Sequence, residues 1–189
     1  MDLLEPTFGY AVIAAVALQR AVEVVFAEAN ARALVRRGAH PVKREGAAGL
    51  MVVHVLWLAA MAIERYAFDA RTPKGWGWAI GVAVLLVEVL RAWTLGTLGK
   101  RWTIRVVVVP GEEPVARGPY RFLRHPNYVV VTLELLLVPL LVGAWRTALA
   151  VVLPHALTLA YRIRREEEAW RTLGARPLGA VRQFVPGPE

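Results

Sequence analysis

The chain has 189 residues, a net charge of +8 and a mean hydropathy of +0.43, and 57% of its residues are apolar. That apolar fraction exceeds the usual level of about half and argues against an ordinary soluble domain. The sequence contains no cysteine and no serine, which excludes disulfides, thiolate chemistry and serine nucleophiles. The basic residues lie between apolar runs, which favours anionic lipid or an anionic ligand as the partner and not nucleic acid.

Five apolar runs approach the length of about 20 residues that a helix needs to cross a bilayer. They cover residues 8–26, 47–63, 79–95, 128–143 and 147–161. The last two runs are separated by a very short break, which predicts an antiparallel helical hairpin. The sequence therefore predicts one all-α domain over residues 1–189, a polytopic integral membrane protein with about five transmembrane helices.

Charged residues inside these runs need partners. Arg20 and Glu23 are one helical turn apart, as are Glu88 and Arg91, so each pair can form an ion pair facing the interior of the bundle. A transporter could use the same pairs along a permeation path. His54, alone in the second run, is interpreted as a buried group with its own hydrogen-bond partner.

The distribution of arginine and lysine predicts the orientation. Most of them fall in residues 28–46, 96–127 and 162–189, which share one side of a five-helix topology. The positive-inside rule makes that side cytoplasmic, with the N-terminus outside and the C-terminus inside. The polar loop before the fourth helix and the charged segment after the fifth are then expected on the same membrane face.

Two polar motifs stand on that face. The first, residues 118–128, reads GPYRFLRHPNY, and its glycine and two prolines oppose helix formation. So many polar groups beside an apolar run indicate binding, either of lipid head groups or of a specific ligand. The second, residues 162–168, reads RIRREEE and places Arg162 and Glu166 on one helix face. That pair suits a ligand with both charges, although a solvated salt-bridged helix would look the same.

These motifs resemble the isoprenylcysteine carboxyl methyltransferase family, and more specifically a bacterial branch of short integral-membrane methyltransferases. The resemblance rests on Gly118-Pro119-Tyr120, on Arg124-His125-Pro126-Asn127-Tyr128 and on Arg162 with Glu166, and residues 19–23 and 98–103 also resemble that branch. It implies S-adenosylmethionine bound in a cytoplasmic pocket between a loop and the C-terminal helix. The implied location is a bacterial inner or plasma membrane, with catalytic elements at residues 96–128 and 162–175.

The resemblance also implies roles for individual residues. Arg162 would face the methyl acceptor and Glu166 would be the cofactor-binding carboxylate. The other cofactor-binding positions it implies are Glu113, Pro114, Val115, Tyr120, His125, Pro126, Asn127 and Tyr128. The sequence departs from the prenylcysteine enzymes at Asn127, where they often carry serine, and at Glu134 in the fourth helix. Glu134 is predicted to be catalytic, because a carboxylate could help to form the anion of a hydroxylic acceptor. No histidine has the spacing of a metal site.

Methyl transfer from a sulfonium is an in-line displacement in which positioning dominates. The predicted acceptor is a lipophilic small molecule that enters from the bilayer, with either a prenylcysteine-type carboxylate or an alkylpyrone or alkylresorcinol hydroxyl. Three alternatives stay open on the sequence: a phospholipid N-methyltransferase, a small membrane transporter and a sterol-reductase-like enzyme. The sequence does not indicate the oligomeric state.

Overall fold

The computed structural model describes residues 6–41, 45–72, 75–109 and 115–172, and it is 81% helical. The described residues form five helices: α1 (Pro6–Arg36), α2 (Glu45–Phe68), α3 (Gly77–Leu98), α4 (Pro126–Leu141) and α5 (Trp145–Thr172). Two short strands, β1 (His40–Pro41) and β2 (Val107–Val108), pair antiparallel with His40 opposite Val108. The predicted all-α class is confirmed.

Three of the helices are long and apolar enough to cross a membrane, over Thr7–Arg36, Ala48–Phe68 and Gly77–Arg101, and α4 is a shorter apolar helix. Only 17% of the apolar window in α1 and in α3, and 22% of that in α2, is buried inside the protein. So much apolar surface is stable only against hydrocarbon. The chain is therefore a polytopic integral membrane protein, as predicted. The fifth predicted span, residues 147–161, forms the first part of α5, and its passage through the bilayer stays a prediction.

Helix α1 continues well past the predicted end of its apolar run at residue 26. Glu28 and Arg32 pair across one turn at 3.2 Å, in the polar extension that carries the helix to Arg36. Gly38 then adopts a φ of +88°, and the Ala39 amide donates to the Leu34 carbonyl at 3.1 Å, which ends the helix. The strand pair that follows joins this end of α1 to the loop after α3.

The core lies between α1, α2, α4 and α5. Its fully or nearly buried members are Ile13, Val16, Trp57, Met61, Leu135, Val138, Val142, Ala144 and Val151. The Trp57 indole N–H donates to the Leu135 carbonyl at 3.1 Å, which ties α2 to α4. The turn between α4 and α5 uses Gly143 at a φ of +81°, where a Cβ would lie 2.5 Å from the backbone of Arg71. Only glycine fits there, and the predicted hairpin of α4 and α5 is confirmed.

The loop before α4 is held against the end of α3. Gly118 has a φ of +56°, and a Cβ on it would come within 2.5 Å of the Thr97 hydroxyl. Residues 118–121 form one 3-10 turn, and Pro126 begins α4 at a position where its missing N–H is not needed. Because α5 runs unbroken from the bundle into residues 162–172, its charged motif lies beside this loop.

Candidate active site

The two polar motifs meet around the side chain of Tyr128. Arg162 Nε donates to the Tyr128 hydroxyl at 2.8 Å and lies 3.2 Å from Glu166 Oε1. The Tyr128 hydroxyl in turn donates to Glu166 Oε1. The His125 ring stacks on the Tyr128 ring with centroids 4.9 Å apart, and its Nδ1 lies 3.6 Å from Glu166 Oε2. We call these four residues the junction cluster; segments about 40 residues apart in sequence are in contact here.

Two cavities meet at the junction cluster. The first, the apolar cavity, has a volume of about 330 Å³ and lies between α1, α2, α4 and α5. Half of its lining residues are aliphatic or methionine: Ala17, Ala21, Val24, Leu50, Met51, Val55, Leu58, Ile104, Val131 and Leu159. The second, the basic cavity, has a volume of about 190 Å³ and lies under the loop before α4. Both cavities are lined by Trp102, Thr103, Asn127, Tyr128 and Arg162.

Most of the predicted cofactor-binding residues line the basic cavity. These are Val115, Tyr120, His125, Asn127, Tyr128 and Glu166. Three arginines that were not predicted as binding residues line the same cavity: Arg101, Arg105 and Arg124. Pro126 is buried at the start of α4 and shapes the turn without lining the cavity. Glu113 and Pro114 lie outside the described residues, as do residues 173–175 of the second predicted catalytic element. The structure therefore gathers these residues in one place, and their binding roles stay predictions.

Burial controls protonation in the basic cavity. It lowers the pKa of His125 below the ordinary value for histidine, although the neighbouring Glu166 opposes that shift. Burial, reinforced by the charge of Glu166, raises the pKa of Tyr120. At neutral pH both side chains are uncharged, so Glu166 and the arginines provide the charge of the cavity.

Several polar groups at the meeting point of the cavities have bonding capacity that the described residues do not use. Asn127 Oδ1 is buried and has no hydrogen-bond partner there. Arg162 uses only Nε within the described structure, so both of its terminal nitrogens are available to a ligand. Glu166 Oε2 has only the 3.6 Å approach of His125. Buried polar groups are normally satisfied, and such exceptions point to a binding site.

Glu134, predicted to be catalytic, lies elsewhere. It accepts hydrogen bonds from Arg91 and, at 3.2 Å to each of its oxygens, from Arg20, and only 5% of its side chain is exposed. Arg20 also pairs with Glu23 at 2.8 Å. The set of Gln19, Arg20, Glu23, Glu88, Arg91 and Glu134 is called the central ionic network below. Glu134 is not among the residues that line either cavity, and its catalytic role stays a prediction.

Of the two ion pairs predicted inside the spans, one is formed as predicted and the other is weak. The pair of Arg20 and Glu23 is confirmed. Glu88 and Arg91 approach only to 4.0 Å, because Glu88 accepts from Gln19 at 2.8 Å and Arg91 is bonded mainly to Glu134. Charges in separate spans show that partners are needed, but only the packing of α3 against α4 selects Arg91 for Glu134.

Sequence reasoning missed two parts of the site. Trp102 and Thr103 lie between the cavities, and the Trp102 carbonyl is held by Asn30 Nδ2 at 2.9 Å. His54 has a hydrogen-bond partner, as was predicted: its Nδ1 lies 2.7 Å from the Leu50 carbonyl oxygen. It also lines the apolar cavity, which a lone histidine in an apolar run does not indicate.

The sequence is similar to one known protein family and to two bacterial proteins. Residues 79–172, which contain the whole junction cluster and both polar motifs, match the family model for isoprenylcysteine carboxyl methyltransferases. An uncharacterized protein of Bacillus subtilis (strain 168), YpbQ, is 35% identical over 157 residues, which cover 83% of this chain and 93% of that protein. An uncharacterized protein of Haemophilus influenzae is 27% identical over 144 residues, covering 73% of this chain and 80% of that protein. No solved structure gives a significant match.

Proposed function

The chain belongs to the isoprenylcysteine carboxyl methyltransferase family, and from this premise we propose that it is a membrane-embedded, S-adenosylmethionine-dependent O-methyltransferase for a lipophilic acceptor. One observation carries the proposal. A basic cavity and an apolar cavity meet at Asn127, Tyr128 and Arg162, which line both. A methyl donor on one side and an apolar acceptor on the other would bring their reacting atoms together there, and such positioning is most of what methyl transfer requires.

The chemistry of the basic cavity fits the cofactor. S-adenosylmethionine carries an amino group, a sulfonium, ribose hydroxyls and a carboxylate. Glu166 Oε2 and Asn127 Oδ1 can accept hydrogen bonds from the amino group and the ribose hydroxyls. The surrounding guanidinium groups suit the carboxylate. His125 and Tyr120 add neutral aromatic surface, which accommodates a cation without repelling it.

The apolar cavity fits an acceptor that arrives from the bilayer. On α1 its wall is formed by Ala17, Ala21 and Val24, and on α2 by Met51 and Val55, at helical spacing in both cases. Val55 is 65% exposed and Met51 is 45% exposed on the outer surface of the bundle. An alkyl or prenyl chain could therefore lie between α1 and α2 with its polar end directed at Arg162.

The residues of the junction cluster would act by orientation. When bound, the cofactor supplies an activated methyl group. Arg162 would hold the acceptor oxygen as an anion with its terminal nitrogens, because Tyr128 and Glu166 fix its Nε end. A carboxylate acceptor is already anionic, whereas a phenolic or enolic hydroxyl would lose its proton more readily beside this guanidinium. The buried walls would keep water from competing for the methyl group.

The charge distribution supports a cytoplasmic site. The basic cavity is formed mainly by residues 98–109 and 115–128 and by the end of α5, and each of these segments contains at least two arginines. We therefore propose an enzyme of the bacterial inner or plasma membrane with its active site and C-terminus in the cytoplasm and its N-terminus outside.

Calorimetry with S-adenosylhomocysteine in detergent tests the proposal. The wild type should bind, and Glu166→Ala and His125→Ala should abolish binding, because both residues line the basic cavity. Arg164→Ala is the control, since this exposed arginine lies on α5 and lines neither cavity. Absence of binding to the wild type would favour a transporter.

The acceptor is then found with labelled cofactor and a panel of prenylcysteines, alkylresorcinols, alkylpyrones and phosphatidylethanolamine. Transfer to a carboxylate or hydroxyl of a lipophilic small molecule is the expected result. Transfer to phosphatidylethanolamine alone would replace O-methylation by phospholipid N-methylation.

A further inference from the structure

His54 presents an uncharged hydrogen-bond acceptor to the apolar cavity. Its Nδ1 lies 2.7 Å from the Leu50 carbonyl oxygen, one turn earlier on α2. A carbonyl oxygen can only accept, so Nδ1 carries the proton and the neutral ring has its lone pair on Nε2. No described residue bonds Nε2, and the partly exposed ring lines the cavity.

The orientation of this ring is fixed by its surroundings. Trp57 meets it edge-on with centroids 6.3 Å apart, and Trp57 is itself anchored to the Leu135 carbonyl. The ring of His54 is thus held from two sides, by its own backbone and by a buried indole. A side chain with so little freedom is suited to recognising a ligand, because little conformational entropy is lost on binding.

The charged residues that α1 and α3 contribute to the cavity wall differ from His54. Arg20, Glu23 and Arg91 are bonded to one another or to Glu134. His155 Nε2 lies 2.9 Å from the Thr132 hydroxyl, which donates to the Tyr128 carbonyl at 2.8 Å. Arg20, Glu23 and Arg91 are engaged within the protein, whereas His54 Nε2 is available to a molecule inside the cavity. His155 Nδ1 and Asn127 Oδ1, which are buried, also lack a hydrogen-bond partner among the described residues.

We propose that His54 Nε2 accepts a hydrogen bond from a second protic group of the methyl acceptor, a hydroxyl or N–H set apart from the oxygen that reacts at Arg162. His54 makes no bond to Arg162 or Tyr128, so it would recognise a group other than the reacting one. An acceptor without a donor at this position would bury the Nε2 lone pair under hydrocarbon, and a site with an unpaired polar group discriminates against such a ligand. The inference rests on the proposed methyltransferase function.

Pairs of acceptors that differ only in the second donor show whether His54 recognises that donor or only supports the fold. One pair is a 5-alkylresorcinol and the 3-alkylphenol of equal chain length, which lacks the second hydroxyl. The other is S-farnesyl-N-acetylcysteine and S-farnesyl-3-mercaptopropionate, which lacks the amide N–H. The test uses whichever pair the wild type methylates. For the compound with the extra donor, His54→Leu should lower kcat/KM about five- to tenfold, mainly by raising KM. For the compound without it, kcat/KM should stay within about twofold of the wild-type value.

Two further variants sharpen the result. His54→Gln keeps an oxygen that can accept in place of Nε2 and should restore much of the preference. His40→Gln changes an exposed histidine of β1 that lines neither cavity and should leave both compounds unaffected.

An equal fall for both members of a pair would show that His54 only supports the fold, and no change for either would show that it does not touch the acceptor. Methylation of neither pair by the wild type also counts against the inference. Calorimetry with S-adenosylhomocysteine separates these failures from that of the proposed function. Binding by the wild type supports the methyltransferase whatever the result for His54, and His54→Leu should bind equally well if His54 contacts only the acceptor.

Discussion

The central ionic network and the junction cluster are both built from arginine and glutamate in a largely apolar bundle, yet they differ in how fully their groups are paired. In the central ionic network, both oxygens of Glu134 are bonded to Arg20 and Arg91, whose side chains also reach Glu23. In the junction cluster, the terminal nitrogens of Arg162 have no partner within the described residues. Buried charge alone does not identify a functional site.

The difference follows from the energetics of buried ions. A desolvated charge is tolerable only when it is paired, and removing one partner of a buried pair is strongly destabilising. The central ionic network meets that requirement internally and joins α1, α3 and α4. The junction cluster meets it only in part, which is the condition expected of residues that complete their bonding with a ligand. Three experiments test this contrast.

The largest expected effect is on stability. Glu134→Leu removes the carboxylate that both Arg20 and Arg91 contact, and leaves two buried guanidinium groups poorly compensated. We expect a loss of about 3–5 kcal/mol in the free energy of unfolding, measured by thermal or chemical denaturation in detergent.

The control for this variant is Glu168→Ala, which breaks an exposed pair with Arg165 on α5 and should change stability by less than about 0.5 kcal/mol. If Glu134→Leu instead keeps its stability and loses only turnover, the predicted catalytic role of Glu134 is right and the contrast between the two clusters fails.

The second effect is on turnover. Arg162→Ala should lower kcat by about a hundred- to a thousandfold, corresponding to about 2.7–4 kcal/mol, because an oriented donor to a reacting oxyanion is lost. Binding of S-adenosylhomocysteine, measured by calorimetry, should be mostly unchanged. Arg164→Ala changes an exposed arginine two residues further along α5; it is the matched control and should keep full activity. An equal loss of turnover and cofactor affinity would mean that Arg162 contacts the cofactor.

The smallest effect is on the pH dependence of stability. Burial holds the pKa of His125 below the value of about 6.5 that it has in the unfolded chain. Below that pH the unfolded state therefore binds more protons, and the folded state loses stability as the pH falls, by at most about 1.4 kcal/mol per pH unit from this group.

Melting temperatures of the wild type and His125→Gln between pH 8 and pH 5 check this, and the variant should lose less stability on acidification. His40→Gln changes an exposed histidine, and its melting temperatures should follow those of the wild type. Parallel curves for wild type and His125→Gln would mean that the junction cluster accommodates a second positive charge as readily as solvent does.

The sequence predicted the helical membrane architecture well, because hydrocarbon imposes a simple rule of length and polarity on each span. The apolar run that predicted the first span ends at residue 26, and α1 continues to Arg36 through a polar extension with an ion pair that hydropathy does not register. The sequence placed Arg162 and Glu166 on one helix face, and α5 does carry residues 162–168 on one continuous helix with residues 145–161. The confirmed family likeness came from motifs whose glycine and prolines shape the backbone in ways that few other residues can.

The sequence by itself determined that this chain is an all-α membrane protein with two charged motifs and a family to which they belong, since local composition and spacing carry that information. Only the tertiary structure decided that Tyr128 lies between Arg162 and Glu166, that Glu134 serves Arg20 and Arg91, and that His54 faces a cavity. Each of these depends on how one helix is rotated against another. A rotation of that kind follows from the packing of whole helix faces and cannot be assigned from the charge of a single residue.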